Sequence, residues 1–312
     1  MANKILVTGG AGYIGSILIP KLLDDGNDVT VVDNYMYRQT SLIEHIKKDN
    51  FELIIEDVRN LSSMKKHYAK ADIIIPLAAI VGAPACNKDP MLAIAVNKNS
   101  ITEMLLQLAS DQIVIMPTTN SAYGSGSKDN YCDETSPLNP LSLYAKDKVE
   151  IEKILMDRSN SISFRLATVF GLSPRMRLDL LVNNFVFRAV TDGFIIIFEG
   201  NFKRNYIHVS DVANVFQTAI KNPSKYIGEI FNVGLSEANI SKVDLCKKIK
   251  DLIPTFTYLE SEIGKDPDQR NYIVSNAKIE SRGFLPEFSL AEGLMELEKG
   301  LKIFDQRPFS NI

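Results

Sequence analysis

The apolar and polar positions of the chain follow two alternating periods. Lys4-Ile5-Leu6-Val7 is a short apolar run, Thr8 to Gly15 a glycine-rich turn, and the residues after Gly15 are amphipathic, in the order of a strand, a tight turn and a helix. A second apolar run, Val29 to Val32, ends in Asp33. From there Ser41 to Lys48 reads as helix, Phe51 to Ile55 as strand, Leu61 to Ala69 as helix and Ala71 to Ile75 as a buried strand. Ala93 to Ser110 reads as a long helix, Gln112 to Met116 as a strand, Gly124 to Asn130 as a polar loop, and Asn139-Pro140 opens a helix running to about Arg158. Strands alternating with helices predict right-handed crossovers and a parallel sheet covered on both faces, with ligands beyond the carboxyl ends of the strands.

Beyond Phe164-Arg165 the alternation loosens. Leu172-Ser173-Pro174 breaks the chain, Met176 to Val190 reads as helix, Phe194 to Phe198 and Lys203 to Val209 as strands, and Ser210-Asp211 opens another helix. The last part contains the segment Ser241 to Leu252, a polar loop around Gly264 to Asp268, a helix expected from Asn276, and a closing helix expected over Leu290 to Leu301. This last part reads as a smaller lobe folded over the sheet.

The turn carries the first chemistry. Gly9 can take the backbone conformation of a tight turn, Gly12 has no Cβ to hold a pyrophosphate away, and Gly15 lets the helix lie close on the strand. The free N–H groups at the helix start would face phosphates. The G-x-x-G-x-x-G spacing is also compatible with a turn that binds nothing; Asp33, at the end of the next strand, is what points to a dinucleotide, as an acceptor for ribose hydroxyls. A carboxylate there would repel a 2'-phosphate, so NAD is expected rather than NADP.

Composition narrows the class. Of the 312 residues 45% are hydrophobic and 23% charged, and 35 Lys and Arg against 38 Asp and Glu leave a formal charge of −3, which suggests neither a nucleic-acid nor a membrane surface. No apolar stretch is long enough to span a membrane, and the first strand comes too soon after Met1 for a signal peptide, so a cytoplasmic protein is expected. Cys86, Cys132 and Cys246 are far apart, and His45, His67 and His208 show no ligand spacing, so no metal is expected.

Tyr144 and Lys148 stand four apart on a predicted helix and project from one face. An ordinary surface pair would look the same, but this one comes after the fifth strand of the sheet. An ammonium one turn away and an oxidised nicotinamide would favour the phenolate, which could take a proton from a sugar hydroxyl while hydride leaves the carbon; Thr119 would bond the same oxygen. Small Ala78 and Ala79 after the fourth strand allow close backbone approach, or simply pack. His208 is read as packing and bonding locally rather than as a base.

The set Thr8 to Gly15, Asp33, Asp57-Val58, Leu77-Ala78-Ala79, Thr119, Tyr123-Gly124, Tyr144-x-x-x-Lys148 and Arg204 to Asp211 resembles the extended short-chain dehydrogenase/reductases acting on nucleotide sugars. That resemblance implies an α/β fold, a Rossmann-like doubly wound parallel sheet with a smaller C-terminal substrate lobe. The expected division is 1–170, with return elements about 201–233, for NAD, and 171–200 with 234–312 for the nucleotide sugar. It further implies NAD held by Gly9, Gly12, Tyr13, Ile14, Gly15, Asp33, Asn34, Asp57, Val58, Leu77, Ala78, Ala79, Asn97, Tyr144 and Lys148. Catalysis would rest on Thr119, Tyr144 and Lys148. The nucleotide-diphosphate sugar would meet Thr119, Asn120, Ser121, Asn183, Arg204 and Arg270, with Arg175 and Arg177 either reaching it or pairing at the surface. Homodimers would pack through the helices near 93–110 and 140–158.

Dehydratases of this family carry Thr-Asp-Glu after the fifth strand, whereas this chain has Thr119-Asn120-Ser121, without either carboxylate. The Ser-Ser-Cys of the GDP-fucose synthase branch is absent too. Oxidation at the sugar C4 remains, released as a 4-keto sugar or returned as an epimer. The stretches Pro117 to Gly124 and Phe164 to Asn183 look most like bacterial GDP-manno-heptose 4-dehydrogenases, which serve capsule or surface-polysaccharide synthesis. Thr168 stands where 4-epimerases often carry Asn. A non-catalytic dinucleotide-sensing module is the alternative from another class.

Overall fold

Seven parallel strands form the central sheet, in the order Glu229–Val233, Ser161–Leu166, Ile113–Thr119, Ile73–Pro76, Lys4–Thr8, Asp28–Asp33, Phe51–Ile55. This computed structural model describes residues 2–124, 131–263 and 270–303. The first three strands run outward from the middle, and the chain then returns to the other side of Lys4–Thr8. The strand order therefore reverses at Thr8, which pairs Val32 on one flank and Pro76 on the other, and a crevice opens beyond that point.

Both faces are covered, as the near-continuous apolar strands require. On one face Leu18, Ile19 and Leu22 of helix Gly15–Asp24 pack with Val212 and Phe216 of helix Val209–Lys221. On the other Met64, Tyr68, Ile101, Met104, Ile151 and Leu155 form a second layer. A further core, with Phe170, Val186, Leu245, Ile249 and Leu294, lies among helices Leu181–Thr191, Lys242–Leu252 and Leu290–Gly300. Each fully buried aliphatic side chain contributes about 1.5–3 kcal/mol. Two small sheets, Thr168–Phe170 with Lys203–His208 and Asn239–Ser241, and Phe194–Ile197 with Thr257–Glu260, border this core.

Three expectations need correcting. The segment 41–48 forms only a short 3-10 turn, Ile43–His45, because Leu42 alone is buried while Ile43 and Ile46 face solvent and no apolar stripe exists. The helix expected from Met176 begins at Leu181; residues 171–180 stay irregular, held by the buried side chains of Arg175 and Arg177. The long helix spans 90–107, starting at Pro90 under the cap of Asp89, and includes a π turn at Ala95–Asn99. Most of the loop expected at 124–130, and the one at 264–268, lie outside the described residues. Among the described residues no helix is long and apolar enough to cross a membrane.

Candidate active site

The crevice holds a cavity of about 770 Å³, lined by residues of the glycine turn and by Arg204, Lys242 and Arg270. Gly9 lies at φ +68°, and a Cβ there would stand 2.5 Å from the Ala78 nitrogen, so only glycine lets the turn meet the backbone after the fourth strand. A Cβ on Gly15 would fall 2.2 Å from the Gly10 oxygen, which explains the tight start of the helix. Gly12, Tyr13, Ile14 and Gly15 line the cavity at that helix start. The Tyr13 hydroxyl turns away and donates to the Gly171 carbonyl at 2.7 Å.

Asp33 is buried at the end of its strand. Its carboxylate accepts from the N–H of Ala11 at 3.1 Å and of Tyr35 at 2.9 Å, and from Gln39 at 3.3 Å. Burial raises its pKa, while those bonds favour the charged form. Each carboxylate oxygen keeps capacity for a further donor. Asn34 donates to Asp57 at 3.4 Å, and Arg59 grips Asp57 at 2.8 and 2.9 Å, holding its pKa near 2. Asp57, Val58, Leu77, Ala78 and Ala79 also line the cavity. Helix N-terminus, close glycines and buried carboxylate together fit a dinucleotide.

Asn97 does not line the cavity. Fully buried in the π turn, it accepts from the Ile80 N–H and donates to the Ile80 carbonyl, both at 2.8 Å, and so fixes the loop that borders the site. Its side chain works at one remove.

At the end of the fifth strand Thr119 accepts from the Ser121 N–H at 3.1 Å and its hydroxyl donates to the Ser121 hydroxyl at 2.9 Å. Both line the cavity, as do Tyr144 and Lys148. Asn120 does not: the turn sends it into the interior, where its carboxamide has no hydrogen-bond partner among the described residues. Helix Leu143–Met156 is capped by Ser142, which accepts from the Ala145 N–H at 3.2 Å, and so begins one residue before Tyr144. The Lys148 ammonium lies 5.9 Å from the Tyr144 ring centroid. Burial pushes the phenol up to about 12 and the ammonium down to about 8. Burial is the dominant influence on the phenol here, whereas the expectation joined the ammonium to the positive charge of an oxidised nicotinamide.

Arg270 bonds the Ser121 hydroxyl and reaches the Tyr272 hydroxyl at 3.2 Å. Arg177 is held bidentately by Asp179 at 2.5 and 3.1 Å, and Arg175 lies 4.6 Å above the Tyr37 ring; all four side chains line the cavity. These two arginines are buried rather than surface-paired. Asn183 is fully buried, bonding the Gly171 N–H, the Arg177 carbonyl and the Tyr13 hydroxyl, while its neighbour Asn184 lines the cavity. One helical position decides which asparagine faces in. His208 is buried, accepts from the Ser210 N–H and bonds Glu296 at 2.7 Å, a local structural role. Nothing in the sequence pattern points to Tyr37, Ser142, Ile196 to Phe198 or Lys242; they reach the cavity from separate elements with no local motif.

A model of the NAD dependent epimerase/dehydratase family matches residues 5–234. The chain belongs to that family. NAD-dependent epimerase/dehydratase relatives include UDP-glucuronic acid decarboxylase 1 of Xenopus tropicalis, 29% identical over 307 residues, covering 94% of this chain and 70% of the relative. UDP-glucuronic acid decarboxylase 6 of Arabidopsis thaliana is 29% identical over 315 residues, 96% of this chain and 89% of its own. Among solved structures, UDP-glucose 4-epimerase of Thermotoga maritima with UDP-glucose superposes with a TM-score of 0.81 at 25% identity, covering 96% of this chain and 98% of that one. UDP-glucuronic acid 4-epimerase of Bacillus cereus with UDP-glucuronic acid and NAD gives 0.83 at 24%, covering 96% and 99%. The expected NAD cofactor and the Rossmann-like α/β fold are thus those of the family, whereas these four relatives act on UDP-sugars by name.

Proposed function

We propose that this member of the family oxidises C4 of a nucleotide-diphosphate sugar, GDP-manno-heptose in the first instance, to the 4-keto product in a capsule or surface-polysaccharide route. The observation that carries the reading is the acid-base inventory around Tyr144. Thr119, Ser121, Tyr144 and Lys148 supply hydroxyls, a phenol and an ammonium, and positions 119–121 hold no carboxylate to expel water. Bound NAD supplies the hydride acceptor. Tyr144 takes the C4 hydroxyl proton as the C4–H bond breaks and the C=O bond forms. Thr119 holds the oxygen, and Arg204 and Arg270 face the diphosphate.

The named 4-epimerase neighbours favour a second outcome, return of hydride to the opposite face of C4. Thr168, which lines the cavity with its hydroxyl unpartnered among the described residues, stands against simple transfer of that chemistry. For a homodimer through the two helices, the support is that Met91, Leu106, Leu141 and Ile154 are exposed on or beside them.

Incubation with GDP-manno-heptose and a panel of UDP-sugars, read by product mass and NMR, tests the proposal. Loss of two hydrogens is expected. Unchanged mass with inverted C4 would make the enzyme an epimerase, and loss of water would overturn the reading of residues 119–121.

A further inference from the structure

Tyr144, Lys148 and Glu152 succeed one another at four-residue steps on helix Leu143–Met156, so they share one face. The second and third bind consecutive residues of the fifth strand. Lys148 donates to the Pro117 carbonyl at 3.1 Å, and the Thr118 hydroxyl donates to Glu152 at 2.9 Å. Thr119, the residue set to hold the substrate oxygen, comes next.

Glu152 is buried, with five hydrogen bonds on its carboxylate. Besides Thr118 it accepts from the Ser163 hydroxyl at 2.7 Å, from Arg165 Nε at 3.1 Å to each oxygen, and from Arg165 Nη2 at 2.6 Å. The remaining arm of Arg165 donates to the Tyr123 hydroxyl at 3.0 Å, which passes a bond to Asn232 at 2.8 Å. The same guanidinium therefore anchors the helix that carries Tyr144 and the turn that carries Ser121. Thr118, Thr119, Lys148 and Glu152 also border one void with no room for a water, so solvent does not loosen the contact.

A buried ion pair of this kind adds little net stability compared with apolar residues of the same volume. What it does add is a fixed register, because five directional bonds let the helix neither slide nor rotate against the strand end. A displacement of about 1 Å at a reacting group costs about 100-fold in rate.

We propose that Glu152 is a positioning residue of the reaction, setting through Thr118 and Arg165 where the Tyr144 phenol stands relative to Thr119. It rests on the reading of Tyr144 as the proton acceptor. The test compares wild type, Glu152→Gln, Thr118→Val and Tyr144→Phe in single-turnover reduction of NAD with GDP-manno-heptose. A second readout needs no sugar: the tyrosinate absorbance titration of the NAD complex, taken as the difference from Tyr144→Phe.

Glu152→Gln is expected to slow the step by about 10- to 100-fold and Thr118→Val by a smaller factor, with KM and NAD affinity within about twofold. The phenol titration of the NAD complex should move upward in Glu152→Gln, because a displaced phenol loses the nearby positive ring; a downward move, the sign of the lost carboxylate charge alone, would count against the proposal. Wild-type rates and an unmoved titration in both variants, whatever the loss of melting temperature, would overturn the proposal, as would a change confined to KM. Tyr144→Phe separates the two claims: if it alone is inactive, the positioning role falls and the catalytic reading stands, whereas full turnover in it removes the catalytic reading. If Glu152→Gln fails to fold, Thr118→Val decides. If GDP-manno-heptose is not turned over, the titration decides.

Discussion

The ammonium of Lys148 is bonded to the carbonyl of Pro117, at 3.1 Å, rather than to the phenol one helical turn before it. Burial leaves this lysine with a pKa of about 8 against 10.5 when free. The unfolded chain therefore holds the extra proton between about pH 8 and 10.5, so stability rises with pH through that window, and the cost of the buried charge is complete below it. A shift from 10.5 to about 8 puts that cost at no more than about 3.4 kcal/mol. Lys148→Met is expected to raise the melting temperature at pH 7 by about 2–6 °C, to flatten the rise toward pH 10, and to abolish turnover. A lower melting temperature at pH 7 would show that the bond to Pro117 outweighs desolvation.

Tyr144 is held neutral in the free protein, with its phenol near 12. The oxidised cofactor brings a positive ring, so NAD binding is expected to lower that titration and release protons at alkaline pH. Tyr144→Phe should reduce kcat by about 10²–10⁴-fold with NAD affinity within about threefold. Calorimetry in two buffers of different ionisation enthalpy reads the proton release, which should vanish in the variant. Equal release in both proteins would assign it elsewhere.

Asp33 has two roles, since its carboxylate ties the glycine turn to the loop after the second strand as well as facing the cavity. Asp33→Asn keeps the shape and removes the charge. NAD affinity is expected to fall about 10- to 100-fold, the worth of a charge-assisted bond, while NADP gains relative to NAD. Titration of both cofactors checks this, and an unchanged ratio would refute the ribose role.

Arg270 lines the cavity and bonds the Ser121 hydroxyl. Arg270→Met is expected to raise KM for the nucleotide sugar about 10- to 100-fold and leave NAD affinity within about twofold. Steady-state kinetics and cofactor titration separate the two. A weakened cofactor with unaltered KM would move Arg270 to the other ligand.

The part of the site legible in the sequence is local. Gly9, Gly15 and Asp33 belong to one strand-turn-helix-strand unit, and Tyr144 and Lys148 to one helix, so spacing alone puts them near each other. The sequence does not separate Asn183 from Asn184, because adjacent helical positions differ by about 100° and only the packed lobe fixes the helix rotation. Asn97 and Asn120 have plausible positions in the chain, but their side chains turn into the interior. Tyr37, Lys242 and Ile196 to Phe198 converge from distant elements, as tertiary structure alone determines. The missing helix at 41–48 has the same cause, since only the packed fold shows that Leu42 enters the core while Ile43 and Ile46 face solvent.

Transfer of deuterium from C4 of a nucleotide sugar labelled there tests the central claim most directly. With GDP-[4-²H]manno-heptose and NAD, wild-type protein should place the label in the reduced nicotinamide, and Tyr144→Phe should place almost none. Conversion of the sugar with the label still on C4 and unlabelled cofactor would contradict oxidation at that carbon.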